Sequence, residues 1–245
     1  MKILVCISSV PDTTTKITFT SNNTEFNTSG VQFIINPYDE IALARALEIA
    51  EGGDGTVTVI HVGTAEADPV IRKALAMGAA NAIRVDAPSR DAFFVSRQIA
   101  SVAEKEGYDF ILCGRESIDY NGAQVGPMIS EWMKVPSVSA VKKININEGK
   151  ALLEREIEGG REIVETSLPF VASCSEGVAE VRIPNMRGIM TARTKPLQVV
   201  PAEDVPRLQE TASFSVPSAR GEVTLIDASE PEKLIQLLRE EAKVI

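Results

Sequence analysis

The 245-residue chain is 44% hydrophobic and 5% aromatic, enough apolar material for one large domain or a domain with an appendage, which excludes a disordered or collagen-like polymer. Its 25 Lys and Arg against 34 Asp and Glu leave a formal charge of −9, the wrong sign for a nucleic-acid or anionic-membrane binder. Three cysteines without paired spacing, Cys6, Cys113 and Cys174, point to a reducing compartment and away from a zinc site, and no apolar run approaches the ~18 residues of a membrane span.

Met1-Lys2 leads directly into the apolar run 3–7, so the expectation is a buried first strand, no cleaved leader and a cytoplasmic protein. Residues 16–33 read as two short strands around a polar Ser21-Asn22-Asn23 turn, an excursion from the sheet. Asn36-Pro37 opens a helix with Asn at the N-cap, Pro at N1 and Asp39 and Glu40 beside the positive dipole end. Leu43, Ala46, Leu47 and Ala50 supply its buried stripe. A strand over 56–62, a helix starting at Asp68-Pro69 and ending at Gly78, a strand over 82–85 and a helix over 91–106 follow. A strand over 110–113 and a helix over about 123–133 complete the alternation. Strand–helix alternation at this spacing predicts an α/β fold with a doubly wound, mostly parallel, Rossmann-like sheet.

After Pro136 the pattern changes to short strands over 138–146, 151–157, 162–166 and 170–173, expected as an antiparallel extension of the sheet. Residues 177–196 show no period. Pro201, Pro206, Pro217 and Pro231 punctuate an extended tail with a last helix over about 231–243. We therefore expect a domain over 1–200 and an arm over 201–245 too sparse to fold alone.

Ligands of open α/β sheets bind outside the carboxyl ends of the strands. Neither G-x-x-x-x-G-K-S/T nor G-x-G-x-x-G is present, which removes the standard phosphate loops. The informative segment is 114–127, in which Gly114, Asp119, Asn121, Gly122, Ala123, Gln124, Val125 and Gly126 lead from a strand into a helix start. Unsatisfied amides there suit a phosphate, with Gln124 as a further donor, although an ordinary βα turn explains the same residues. Asn36 is a capping residue or also a wall of the pocket, and Cys6 reads as a small core residue. His61, the single histidine, reads as a satisfied core imidazole, so a catalytic triad has little support. Residues 177–196 carry Arg182, Arg187, Arg193 and Lys195 against Glu180, interleaved with Ile183, Met186, Ile189 and Met190. That is either a basic-rimmed apolar anchor for an acidic partner or a solvated loop over the end of the sheet.

Taken together, Val10-Pro11-Asp12, the 36–42 and 74–79 segments, 114–126, 154–160 and the run from Ile183-Pro184-Asn185 to Met190 resemble the beta subunit of electron transfer flavoprotein over nearly the whole chain. The resemblance implies a non-enzymatic electron carrier without catalytic residues. It would form a heterodimer with an alpha subunit that holds most of the FAD. Its electrons would come from flavin dehydrogenases, such as the acyl-CoA dehydrogenases of fatty acid β-oxidation, and pass to a membrane quinone oxidoreductase. It implies a structural AMP lined by Cys6, Asn36 and Val62 and wrapped by 114–125. It also implies a recognition loop anchored by Ile183, flanked by Pro184, Met186 and Met190, and a Glu156 that steers the FAD domain through an alpha-subunit arginine. Common AMP-binding members read Asn-Gln-Thr-Gly where this chain has Ala123-Gln124-Val125-Gly126, a form similar to bifurcating members with a second FAD. The rival of a different class is a stand-alone ATP- or AMP-binding stress or signalling module, which needs neither a basic anchor loop nor a long arm.

Overall fold

The computed structural model describes every residue except 21, 90, 220 and 222. Ser21 of the predicted turn, and Arg220 and Glu222 of the predicted arm, therefore lie outside the described residues. In chain order the elements are β1 (Lys2–Cys6), β2 (Ser9–Pro11), β3 (Phe33–Ile35), α1 (Pro37–Glu51), β4 (Thr56–Gly63), α2 (Asp68–Met77), β5 (Asn81–Asp86), α3 (Ala92–Glu106) and β6 (Phe110–Gly114). There follow α4 (Val125–Met133), β7 (Ser137–Asn147), β8 (Lys150–Ile157), β9 (Gly160–Ser167), β10 (Phe170–Cys174), α5 (Met186–Ala192), β11 (Leu197–Pro201) and α6 (Pro231–Glu240).

A nine-stranded sheet runs in the order β11-β5-β4-β1-β6-β10-β7-β8-β9. Every pair from β11 to β7 is parallel, and β8 and β9 add antiparallel hairpin strands beyond β7. The two faces carry separate cores. Ile3, Val5, Phe110 and Phe170 pack with α1 and α2 on one side; Leu4, Ile60 and Ile111 pack with α3 and α4 on the other. Alternate side chains of one strand thus feed both cores, which is why the inner strands read as unbroken apolar runs. The doubly wound α/β architecture is as the sequence predicts. Among the described residues, no helix is long and apolar enough to cross a membrane.

Three expectations are corrected. Phe170–Cys174 is no part of the antiparallel extension: it is fully buried and lies parallel between β6 and β7, with Phe170 stacked on Phe110 at 5.2 Å. Its apolar run lacks alternation, as a strand buried on both faces requires. Among the described residues, the 16–33 excursion pairs through an antiparallel Phe19–Phe26 bridge rather than two strands, with the Thr20 amide donating to the Glu25 carbonyl at 3.0 Å and the Asn27 amide to the Thr18 carbonyl at 2.9 Å; the small sheet pairs β2 with β3. Residues 186–192 form a helix, and β11 adds an outer strand beside β5 that no periodicity announced.

The tail is tied to the body in places. Gln98 donates through Nε2 to the Glu203 carbonyl at 3.0 Å and accepts the Glu203 amide at 2.8 Å, and Phe214 stacks on Phe19 at 4.8 Å. By contrast α6 buries none of its residues and leaves Leu234 and Ile235 exposed.

Candidate functional site

The carboxyl ends of β1, β4 and β6 open into a cavity of about 1040 Å³, at the top of the ~300–1,000 Å³ range typical of ligand pockets. Its floor is apolar, with Cys6, Val62 and Cys113 at the strand ends and Ile99 and Val95 from α3. One wall is the β6–α4 loop and the start of α4.

Two buried polar side chains of the α1 region build that wall. Asn36 stands at the N-cap of α1 without capping it. Its side chain is fully buried and crosses to the loop, donating through Nδ2 to the Glu116 carbonyl at 2.9 Å and accepting the Ile118 amide at 3.2 Å. Asp39 accepts the Ser8 amide on one oxygen and the Gly114 amide on the other, both at 2.8 Å. A single carboxyl thereby joins the ends of β1 and β6. Burial pushes the Asp39 carboxyl up to about 7, against the pull of the Ser8 and Gly114 amides. Gly114 is required here, because a Cβ would stand 2.4 Å from Asp39 Oδ1 and 2.6 Å from Tyr38 Cβ.

The loop then turns with Asn121 and Ala123 in the left-handed region at φ 49° and 51°, and Gln124 returns to right-handed geometry at φ −100°, ψ −29°. Such an alternation aims successive backbone amides into one concavity, which favours an anion, and the first turn of α4 follows directly. Gly126 lets this turn descend onto the floor: a Cβ there would lie 2.8 Å from Cys113 Sγ.

Of the residues singled out from the sequence, Cys6, Val62, Gly114, Asp119, Gly122, Ala123, Gln124, Val125 and Gly126 line the cavity. Asn36 and Asn121 do not: Asn36 stands behind the wall as its brace, and Asn121 donates its amide to the Ser117 carbonyl within the loop. Asp39 was legible only as a helix-start acid, yet it precedes Leu43 by one turn on the same buried stripe, a position that marks it as inward-facing. Arg207, Gln209, Glu210 and Thr211 also line the cavity, and nothing in their local pattern foretold it.

No nucleophile emerges from the floor. Burial raises the thiol pKa of Cys6, Cys113 and Cys174 above its ordinary value, which keeps them as inert thiols. His61 is buried with Nδ1 2.9 Å from the Ile7 carbonyl, and desolvation lowers its pKa. It is a neutral imidazole whose Nδ1–H donates. Gly63 is fixed by this ring, since a Cβ would meet His61 Nε2 at 2.2 Å.

The 177–196 segment is a different construction. Asn185 caps α5 by accepting the Gly188 amide at 2.8 Å, and a Cβ at Gly188 would strike the Ala76 carbonyl at 2.4 Å, so α5 lies directly on α2. Arg72 donates to the Ala192 and Lys195 carbonyls at 2.8 and 2.7 Å, and Lys195 Nζ donates to Leu75 and Ala79 carbonyls at 2.9 and 2.6 Å. Lys195 therefore belongs to the base, where it satisfies carbonyls at the end of α2, and not to a basic rim. Arg182 forms a two-pronged pair with Glu51 at 2.6 and 2.8 Å. Above this base Ile183, Met186 and Met190 are 90%, 73% and 68% exposed, beside a half-buried Pro184. Glu156 lies elsewhere, on β8, paired with Lys142 at 2.5 Å at the surface.

An electron transfer flavoprotein domain model matches residues 24–205. The chain is 32% identical to the electron transfer flavoprotein subunit beta of Bacillus subtilis, with both chains covered in full. It is 34% identical to the caffeyl-CoA reductase-Etf complex subunit CarD of Acetobacterium woodii over 84% of this chain and 80% of that one. It is 32% identical to the electron transfer flavoprotein subunit beta of Bos taurus over 84% and 83%. A domain match across most of the chain, with end-to-end likeness to a subunit of that name, shows that this chain belongs to the electron transfer flavoprotein family as a beta-type subunit.

Proposed function

We propose that the chain is the beta subunit of a heterodimeric electron carrier, taking electrons from flavin dehydrogenases and passing them to a quinone oxidoreductase in the cytoplasm. FAD, held mainly by the alpha subunit, supplies the acceptance and release of electrons when bound. This chain supplies an adenine-nucleotide base, a docking surface and an arm over 201–245 that, beyond its ties to α3 and Phe19, packs on the partner. The observation that carries this reading is the cavity at the ends of β1, β4 and β6, lined by Ala123 and Gln124 at the turn into α4. Its donors suit a phosphate and its floor of Cys6, Val62 and Ile99 suits an adenine face. The exposed Ile183, Met186 and Met190 on their fixed base fit the docking role, an apolar centre among polar neighbours. Glu156 would exchange Lys142 for an arginine of the alpha subunit, a small change in energy for an exposed pair.

AMP is the occupant this reading favours. A second FAD is the alternative, supported by the cavity's size and by Ala123 and Val125, which bring no side-chain donors to the phosphate turn. Co-expression with an alpha subunit should give a yellow complex, and denaturing it should release FAD together with AMP or a second FAD equivalent, identified by mass. A colourless monomer that binds ATP would overturn the carrier reading.

A further inference from the structure

We propose that the tail segment 209–214 straps the mouth of the nucleotide cavity, and that release of this strap sets the rate at which a nucleotide enters and leaves. The inference rests on the nucleotide reading above and concerns exchange at that site, not the identity of its occupant.

The strap is pinned by two different elements. At one end Asp91 accepts the Phe94 amide on Oδ1 at 2.9 Å, capping α3, and accepts the Leu208 and Gln209 amides on Oδ2 at 2.6 and 2.8 Å. Burial pushes the Asp91 carboxyl up, but these three amides and the Arg207 guanidinium bring it below its usual range. The pin is therefore an ionised carboxylate, and its bonds are charge-assisted. At the other end stands the excursion that joins β2 to β3. The Phe214 amide donates to the Asn23 carbonyl at 2.7 Å, and the Phe214 ring stacks on Phe19 at 4.8 Å and 8°. Through Ile35, β3 packs in the core of α1 and α2, whereas α3 belongs to the core on the opposite face of the sheet.

Between the pins the chain passes over the carboxyl ends of the strands. Gln209, Glu210 and Thr211 line the cavity, yet every residue from 206 to 213 is exposed. A segment with one side on the cavity and the other in water is its outer edge. The root of the strap is fixed: Gln98 holds both backbone groups of Glu203, whose carboxylate meets Ser101, Lys105 and Arg97, and Val205 is 8% exposed. From Pro206 to Ser213 no side chain is buried, so the strap is retained by its two pins and not by a core. That is the build of an element that opens locally while the rest of the fold stays closed. Arg207 bends the segment on itself, donating to the Gln209 carbonyl at 2.7 Å and to Glu210 at 3.3 Å, so it moves as one piece.

The test loads the nucleotide-stripped complex of the full chain and its alpha subunit with radiolabelled AMP, and follows both uptake and release into excess unlabelled AMP. Phe214→Ala removes the stack at one pin. Asp91→Asn keeps an oxygen for the Phe94 amide but presents an NH2 group where Leu208 and Gln209 need an acceptor, so it cuts the other pin and spares the cap. Each variant should speed uptake and release together by about tenfold while Kd stays within about twofold, because a gate changes both rates and not their ratio. Phe214→Tyr, which keeps the stack, should exchange as wild type does. Faster release with uptake unchanged would make the tail a wall that grips the ligand, and unchanged rates in both variants would leave it no hold on exchange; either result overturns this inference alone. A wild-type complex that takes up no AMP overturns the reading of the cavity as an AMP site, and the strap's role with it.

Discussion

The cavity and the 183–190 loop stand on the same sheet and are stabilised in opposite ways. At the cavity, polar groups are taken out of water and aimed at backbone: Asn36 is fully buried and holds two groups of the β6–α4 loop, and Asp39, nearly as buried, holds the Ser8 and Gly114 amides at the strand ends. At the loop, the polar contacts from Arg72, Lys195 and Asn185 lie underneath, while Ile183, Met186 and Met190 are pushed into solvent. The contrast separates a site whose wall is braced by buried side chains holding backbone groups from a surface that leaves its large apolar side chains in water. Substitutions at the first should therefore be read out as stability, and at the second as rate.

The largest stability effect is expected at Gly114. Gly114→Ala places a methyl against Asp39 Oδ1 and the Tyr38 backbone, at 2.4 and 2.8 Å. It should cost about 2–3 kcal/mol in urea unfolding. A loss under about 0.5 kcal/mol would mean that the α1–β6 contact yields, and the cavity would lose its claim to a single shape. Asn36→Ala follows, at about 2 kcal/mol, because it leaves the Glu116 carbonyl and the Ile118 amide without their partner. It should also raise amide exchange across 115–118, which a purely local capping defect in α1 would not do.

The pH dependence sharpens the same side. Asp39 has its carboxyl at about 7 in the fold through burial, above the ~3.9 of an unfolded chain. Its neutral form is the one the fold favours, so its contribution is complete below about pH 4 and is lost as pH rises through about 7. His61 runs the other way: burial lowers its pKa, so the fold gains as pH rises through the unfolded value of ~6.5. Subtracting the urea midpoints of Asp39→Asn from those of wild type cancels the His61 contribution. The difference should shrink from pH 5 to pH 8, and a difference that is flat or grows across that range would show that Asp39 is ionised throughout.

Much of this architecture was open to reading, and the failures share a cause. Unbroken apolar runs and capped amphipathic helices located β1, β4, β5, β6 and α1 to α4, because burial on both faces and a 3.6-residue stripe leave local traces. The position of Phe170–Cys174 between β6 and β7 leaves no such trace, since strand order depends on pairing partners far along the chain. Helix α5 escaped because its stripe faces outward: Met186, Ile189 and Met190 are exposed and only Ala192 is buried, so the apolar period records no core contact. At the site, the Gly114–Gly126 segment carried a turn-and-helix-start signal, whereas Asn36 presents the letters of an N-cap and uses them to brace a loop some 80 residues away. The tail residues at the cavity are placed by Asp91 and Gln98 across more than a hundred residues, a separation over which no periodicity carries information.

The smallest stability effect belongs to the exposed side. Ile183 is 90% exposed, and no hydrogen bond of α5 or its base passes through its side chain, so Ile183→Ala should change unfolding free energy by less than about 0.5 kcal/mol. Removing an apolar anchor from the centre of a docking surface should nonetheless slow electron transfer from a flavin dehydrogenase by about tenfold at subsaturating concentrations, equivalent to ~1.4 kcal/mol of lost association. Flavin content of the complex with the alpha subunit should not move. Slower transfer with FAD retained separates docking from folding; loss of FAD alongside rate would mean that the loop helps hold the assembly together, and the division between a rigid interior site and a displayed surface would fail at its exposed end.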